Sequence, residues 1–151
     1  MDILNNNNLN WHTYTDLSDP RYPIDYADAV LSVSEDGRLE IVVKWQPNSF
    51  CHFHHHTADA SSVILKGELI VIDVDPITGE ELGQATRAVG DFRHKGPGDV
   101  HREQAGPEGA LALFTIFAPE GKIAEALDEE RNVISVSTIP KIIAKRAPST
   151  A

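Results

Sequence analysis

A chain of 151 residues, 41% hydrophobic and 24% charged, is long enough for one domain with a buried core and has an ordinary globular composition. A formal net charge of −10 argues against a nucleic-acid surface, which needs clustered cations, and against binding to anionic membranes. The lone cysteine, Cys51, excludes an internal disulfide and a multi-cysteine zinc site, so any metal chemistry must rest on histidine and carboxylate.

The first ten residues are polar and Asn-rich, with no basic start and no apolar stretch, so no secretory signal is expected and a cytoplasmic location is. No apolar run reaches the roughly 18 residues that span a bilayer. Residues 1–28 read as an N-terminal arm, irregular around Pro20 and Pro23. From residue 29 the pattern is β. Residues 29–33 and 39–45 are rich in Val, Ile and Leu and flank the turn Glu35-Asp36-Gly37. Residues 50–56 alternate in character, 61–66 continue as strand to Gly67-Glu68, and 69–74 run to a hairpin at Asp75–Gly79. A short strand over 85–89 ends at Gly90. The turn Gly96-Pro97-Gly98-Asp99 leads into 100–104, and a turn at Gly106-Pro107-Glu108-Gly109 leads into the apolar strand 110–117. Many short strands with Gly/Pro turns predict an all-β sandwich or barrel over 29–118. The region 119–151 is expected to be a helix and a loosely packed tail. Ile123, Ala126 and Leu127 stand at helical spacing within 122–131, and the tail carries Lys141, Lys145 and Arg146.

Four of the seven histidines, His52, His54, His55 and His56, fall in one five-residue stretch. On a strand, side chains alternate faces. His52, His54 and His56 then share one face, and Cys51, Phe53 and His55 share the other. Two imidazoles at i and i+2 of a strand can reach one ion, and neutral imidazole suits Fe(II), Zn, Ni, Cu and Mn. Either His52 with His54 or His54 with His56 satisfies that spacing.

The stretch His54-His55-His56 is followed eleven residues on by Gly67, in Val63-Ile-Leu-Lys-Gly67. A second segment runs from Gly90 through Gly96-Pro97-Gly98-Asp-Val to His101. Together, over roughly 38–118, these two segments resemble the two motifs of the cupin superfamily, with the second motif's proline shifted by one. The resemblance implies a single-domain jelly-roll β-barrel with a metal near its mouth, held by His54, His56 and His101. The distance to Gly67 favours that pair over His52 with His54. The family's glutamate ligand falls at Ala60, which cannot bind metal. Asp59 beside it enters the shell only if the chain is a loop there. Without the glutamate the pattern is that of small three-histidine cupin dioxygenases, such as the acetylacetone-cleaving and dihydroxyacetophenone-cleaving enzymes.

Glu103 shares the face of His101 and is a candidate catalytic base; His52 is a candidate proton shuttle or donor to the ligands. Trp45, Ile64, Phe114 and Ile116 are candidates for core or pocket wall. Arg93 and His94 read as surface groups near the mouth, and Cys51 as packed on its strand's outer face. The resemblance implies a non-haem Fe(II) dioxygenase that cleaves a C–C bond in a small dicarbonyl or hydroxyketone substrate. A Zn, Ni or Mn lyase or isomerase, and a non-catalytic metal-binding regulatory module, are the rival readings. A small-molecule substrate and a homodimer are expected partners; nucleic acid and membrane are not.

Overall fold

The computed structural model describes residues 2–5 and 8–146, the last by its backbone alone. Residues 1, 6 and 7 of the expected arm and 147–151 of the expected tail lie outside the described residues. Ten strands and one helix follow in order: β1 (His12–Asp16), β2 (Ile24–Val33), β3 (Arg38–Trp45), β4 (Phe53–His56), β5 (Asp59–Val74), β6 (Glu81–Ala88), β7 (Phe92–Lys95), β8 (Val100–Phe117), β9 (Lys122–Leu127), β10 (Val133–Thr138) and α1 (Ile139–Arg146). No helix among the described residues is long and apolar enough to cross a membrane.

The long strand β8 organises the sheet. β5 pairs with it along most of its length, while its other edge is shared by β4 at the start and β3 at the end. The path β1-β2-β3-β8-β4-β9-β10 is one continuous antiparallel ladder, with β6 and β7 added through β5. It curls into a half-barrel. Its core holds Leu39, Val42, Ile64 and Leu69, each under 2% exposed. Truncating a leucine of this kind to alanine costs about 2–5 kcal/mol.

The two motif regions expected as strand-turn-strand are continuous strands instead. Residues 61–66 and 69–74 belong to β5, and 100–104 and 110–117 belong to β8. Both strands bend where Gly67 (φ +67) faces Gly109 (φ +79), and a Cβ on Gly67 would lie 2.0 Å from the Gly109 carbonyl oxygen. Register shifts beside Gly67 absorb the bend. The glycines thus curve the sheet without ending a strand.

Two further expectations are corrected. Residues 122–131 are not a helix: 122–127 form β9, paired with β4 on one side and β10 on the other. Ile123 and Leu127 are both buried, and a spacing of four satisfies a strand face as well as a helix face. The positive-φ Gly121 and the open edge of β4 decide for the strand. The only helix among the described residues comes later, starting at the buried Ile139, with Pro140 in its first turn where no backbone donor is required. At the other end, the ladder begins at His12 rather than at 29, because β1 and β2 form a hairpin that docks on β3.

Candidate metal centre

His54 and His101 are directly opposed partners in the β4–β8 ladder. Opposed residues of an antiparallel pair send their side chains to the same face. His56, two residues beyond His54, joins them. The three imidazoles converge with ring centroids 4.4–4.7 Å apart, and one nitrogen from each lies within 4.8 Å of the other two. The Nε2 atoms of His56 and His101 are 3.1 Å apart. Two nitrogens bound to one ion at about 2.0–2.1 Å stand roughly 3 Å apart when the bonds meet near a right angle. The donor set and its spacing therefore fit a divalent ion.

The tautomers agree with that fit. His54 Nδ1 lies 3.0 Å from the backbone oxygen of His52. A carbonyl only accepts, so Nδ1 carries the proton and Nε2 offers its lone pair. His101 Nδ1 donates to Asp99 Oδ2 at 2.8 Å, which likewise leaves Nε2 toward the cluster. Asp99 closes the Gly96–Asp99 turn, whose Gly98 takes φ +120. It is in turn bridged by Lys95 Nζ at 3.0 Å. This carboxylate–histidine arrangement raises ligand basicity and fixes the ring. Asp73, Asp99 and His101 form a second convergent group, but Lys95 already bridges both carboxylates.

Burial sets the protonation states. It lowers His54 to about 4, with help from the charge on His101, and lowers His56 to about 3, with help from both other rings. Burial also opposes charge on His101, but hydrogen bonds to Asp99 and Glu103 outweigh it and raise the group to about 9. Burial pushes the Glu103 carboxyl up, and the hydrogen bond and charge of His101 more than reverse that, to about 2. The cluster without an ion is thus two neutral rings beside an imidazolium–carboxylate pair.

Glu103 is buried, with Oε1 3.2 Å from His101 Nε2. It belongs at the edge of the cluster, on the His101 side. His52 is not one of the three converging rings, but it lines the same chamber as His54 and His56. Its ring is 6.3 Å from Tyr26, whose hydroxyl lies 3.5 Å from His52 Nδ1, and burial lowers its pKa. His55 points the other way and pairs with Glu125 at 2.9 Å. Ala60 is buried in β5 near the cluster. Asp59 does not replace the missing glutamate: its half-exposed side chain pairs with the exposed His94 at 3.4 Å.

Cys51 is the residue that alternation misplaced. It is buried beside the site, not on an outer face: Sγ lies 3.8 Å from His54 Nδ1 and 3.8 Å from Glu103 Oε2, and accepts the Glu103 N–H at 3.3 Å. β4 begins only at Phe53, so strand parity does not extend back to Cys51. Burial, reinforced by the charge on Glu103, keeps it a thiol. Asp99 was missed as well, although a carboxylate two residues before a candidate ligand is a readable signal.

Two chambers meet at His56, Glu103 and Phe114. The larger, about 190 Å³, runs from His54 and His56 along Tyr26, Ile41, Val43, Trp45, Ile116 and Ile123. The smaller, about 40 Å³, lies beside His101 and is lined by Ser62, Arg87, Arg93 and Lys95. Arg87 and Arg93 both bind Asp91, and Lys95 binds Asp99. Arg93 thus reaches a chamber, while Ile64 is core alone.

No family model and no curated protein matches the chain. Solved structures do. An RmlC-like cupin from Ralstonia eutropha is 14% identical, with 97% of this chain and 84% of that one aligned at a TM-score of 0.68. A protein of Methylibium petroleiphilum described as a proposed acetylacetone dioxygenase is 15% identical, with 92% and 89% aligned at 0.66. An oxalate decarboxylase from Lactobacillus farciminis is 16% identical at 0.55, and the match spans 74% of this chain and 31% of that enzyme. With the curled antiparallel sheet and its inward-facing histidines, these likenesses establish that the chain has the cupin fold.

Proposed function

We propose that the protein is a metal-dependent cupin enzyme in which His54, His56 and His101 hold Fe(II), and that it uses dioxygen to cleave a C–C bond in a small dicarbonyl or hydroxyketone substrate. The observation that carries this reading is the convergence of three neutral-capable imidazoles with two Nδ1 atoms tied back, beside an alanine at position 60. The likeness to the Methylibium petroleiphilum protein supports it. When bound, the ion supplies Lewis acidity toward the substrate oxygens and electron transfer with dioxygen.

The protein's own groups do the rest. Asp99 and the His52 carbonyl hold two of the rings in the ligating tautomer. Glu103, buried beside the cluster, takes the acidic proton of the carbon between the two substrate oxygens. The apolar wall of Ile41, Val43, Phe114 and Ile116 keeps water from that carbon. One C–C bond breaks, and each new end receives one oxygen atom of O₂. The test is anaerobic addition of Fe(II) and a diketone panel, followed by air. A charge-transfer absorption and oxygen uptake with two products are expected. Neither signal across the panel would sink the reading.

A lyase or isomerase with Zn, Ni or Mn is the second reading, favoured by the buried Glu103 beside the cluster, a group able to move a proton without oxygen. Turnover under strict anaerobiosis separates the two.

A further inference from the structure

The sheet does not close on itself. β1 and β10 are the two ends of its path, and among the described residues neither pairs with the other or with a further strand on its outer edge. Between them lies a groove of about 480 Å³. Its walls are β1 on one side and β10 with α1 on the other, and its apolar floor includes Val30, Leu39 and Ile142. Asp28, Ile41, Ile116, Ile123 and Ser137 line both this groove and the chamber that ends at His54 and His56. They come from five different strands, so they form an arc around a common opening and not a single partition. The chamber alone, at about 190 Å³, is little larger than the roughly 150 Å³ that one benzene molecule fills. Groove and chamber together reach the usual size of a small-molecule site, roughly 300–1,000 Å³.

Charge is distributed unevenly along this space. Lys141 and Lys145 line the groove and not the chamber. Both are exposed, and neither pairs with a carboxylate among the described residues. Lys141 Nζ donates to the Val136 carbonyl oxygen at 2.8 Å, which leaves it two further donors and its full charge. The acids that face the space are engaged: the Tyr14 hydroxyl bonds Asp28, and Glu103 pairs with His101.

We propose that the substrate carries an apolar tail that leaves the metal chamber past Ile41, Ile116 and Ile123, lies in the groove between β1 and β10, and ends in a carboxylate beside Lys141 and Lys145. This rests on the reading that His54, His56 and His101 hold the ion at the reacting end. The tail and its end group do not follow from the histidines; they come from the gap that the sheet leaves open.

The test titrates octanoate, octan-1-ol and acetate by ligand-observed NMR into the full chain without metal, so that no ion holds the carboxylate. Octanoate is expected to bind about 100-fold more tightly than acetate, through its chain. The double variant Lys141→Met with Lys145→Met keeps the apolar stems and removes both charges. It should lower the ratio of octanoate to octan-1-ol affinity roughly three- to tenfold. Ser135→Trp and Ser137→Trp, both at exposed positions of β10 that line the groove, should each weaken octanoate and octan-1-ol together by more than about tenfold and leave Zn(II) binding intact. An unchanged ratio in the lysine variant overturns the carboxylate end. Undiminished binding of both chain probes in both tryptophan variants, or equal binding of acetate and octanoate, overturns the tail. Exclusion of the chain probes from a wild-type protein that sediments as a dimer would give the groove to a second copy and overturns it too. Failure of Zn(II) to bind wild type would count against the metal centre alone, and failure of the chain probes against this inference alone.

Discussion

The inner and outer faces of β4 carry the same residue type in opposite settings. His54 and His56 point inward, burial suppresses their protonation, and His54 is fixed by a backbone carbonyl. His55, between them in the chain, points outward to Glu125 at the rim. Nothing in the identity of the residue separates them. The alternation of one short strand does, and the register that sets His54 against His101 turns parity into a site. A histidine run is therefore not one feature but two, divided by the sheet.

That contrast can be tested from its strongest consequence downward. Glu103→Gln should lower turnover by about 10²–10⁴-fold while Zn(II) still binds, because it removes the base and leaves the three rings. Equal loss of metal and turnover would place Glu103 among the groups that hold the ion. His54→Ala or His101→Ala should weaken Zn(II) binding by more than about 100-fold, beyond the effect of losing an outer partner. Elemental analysis of untagged protein measures this directly, and retained metal in both variants would remove the centre. Asp99→Asn should weaken Zn(II) about 10–100-fold, since it frees the His101 ring without deleting it.

The metal-free protein should show its two kinds of buried histidine as a pH dependence of Tm. His54 and His56 are lowered from an ordinary value of 6.5 to about 4 and about 3. Between those values the unfolded chain binds more protons, so stability is lost as pH falls below 6.5. His101 is raised to about 9, so its contribution is present below 6.5 and is lost as pH rises through 9. A flat profile from pH 4 to 9 would contradict the burial of His54 and His56 and the pairing of His101 with Asp99 and Glu103. His55→Ala should have the smallest effect, leaving Zn(II) affinity unchanged. A large loss of metal there would mean that the register of β4 is shifted by one residue.

Much of the architecture was readable because it rests on local chemistry. Alternating Val, Ile and Leu placed the strands, and Gly67 and Gly98 marked bends that other residues resist. Other features were not local. The spacing of Ile123, Ala126 and Leu127 suits a helix, and only the open edge of β4 makes 122–127 a strand. The Gly106–Gly109 segment reads as a turn, yet β5 carries β8 straight through it. Cys51 defeats parity because it precedes its strand, and its neighbours His54 and Glu103 come from different strands.

By itself the sequence indicated an all-β fold, because strand alternation and turn spacing are written in residue order, and its resemblance to the cupin motifs singled out His54, His56 and His101. The same resemblance marked Ala60 as the position where the family's carboxylate is missing. Tertiary structure decided what surrounds those rings. Asp99 fixes His101 through a turn, Glu103 on β8 meets Cys51 from the segment before β4, and Trp45 forms part of the wall of a chamber. These are relations between distant segments, governed by register and by the space left between side chains, and no window of sequence contains them.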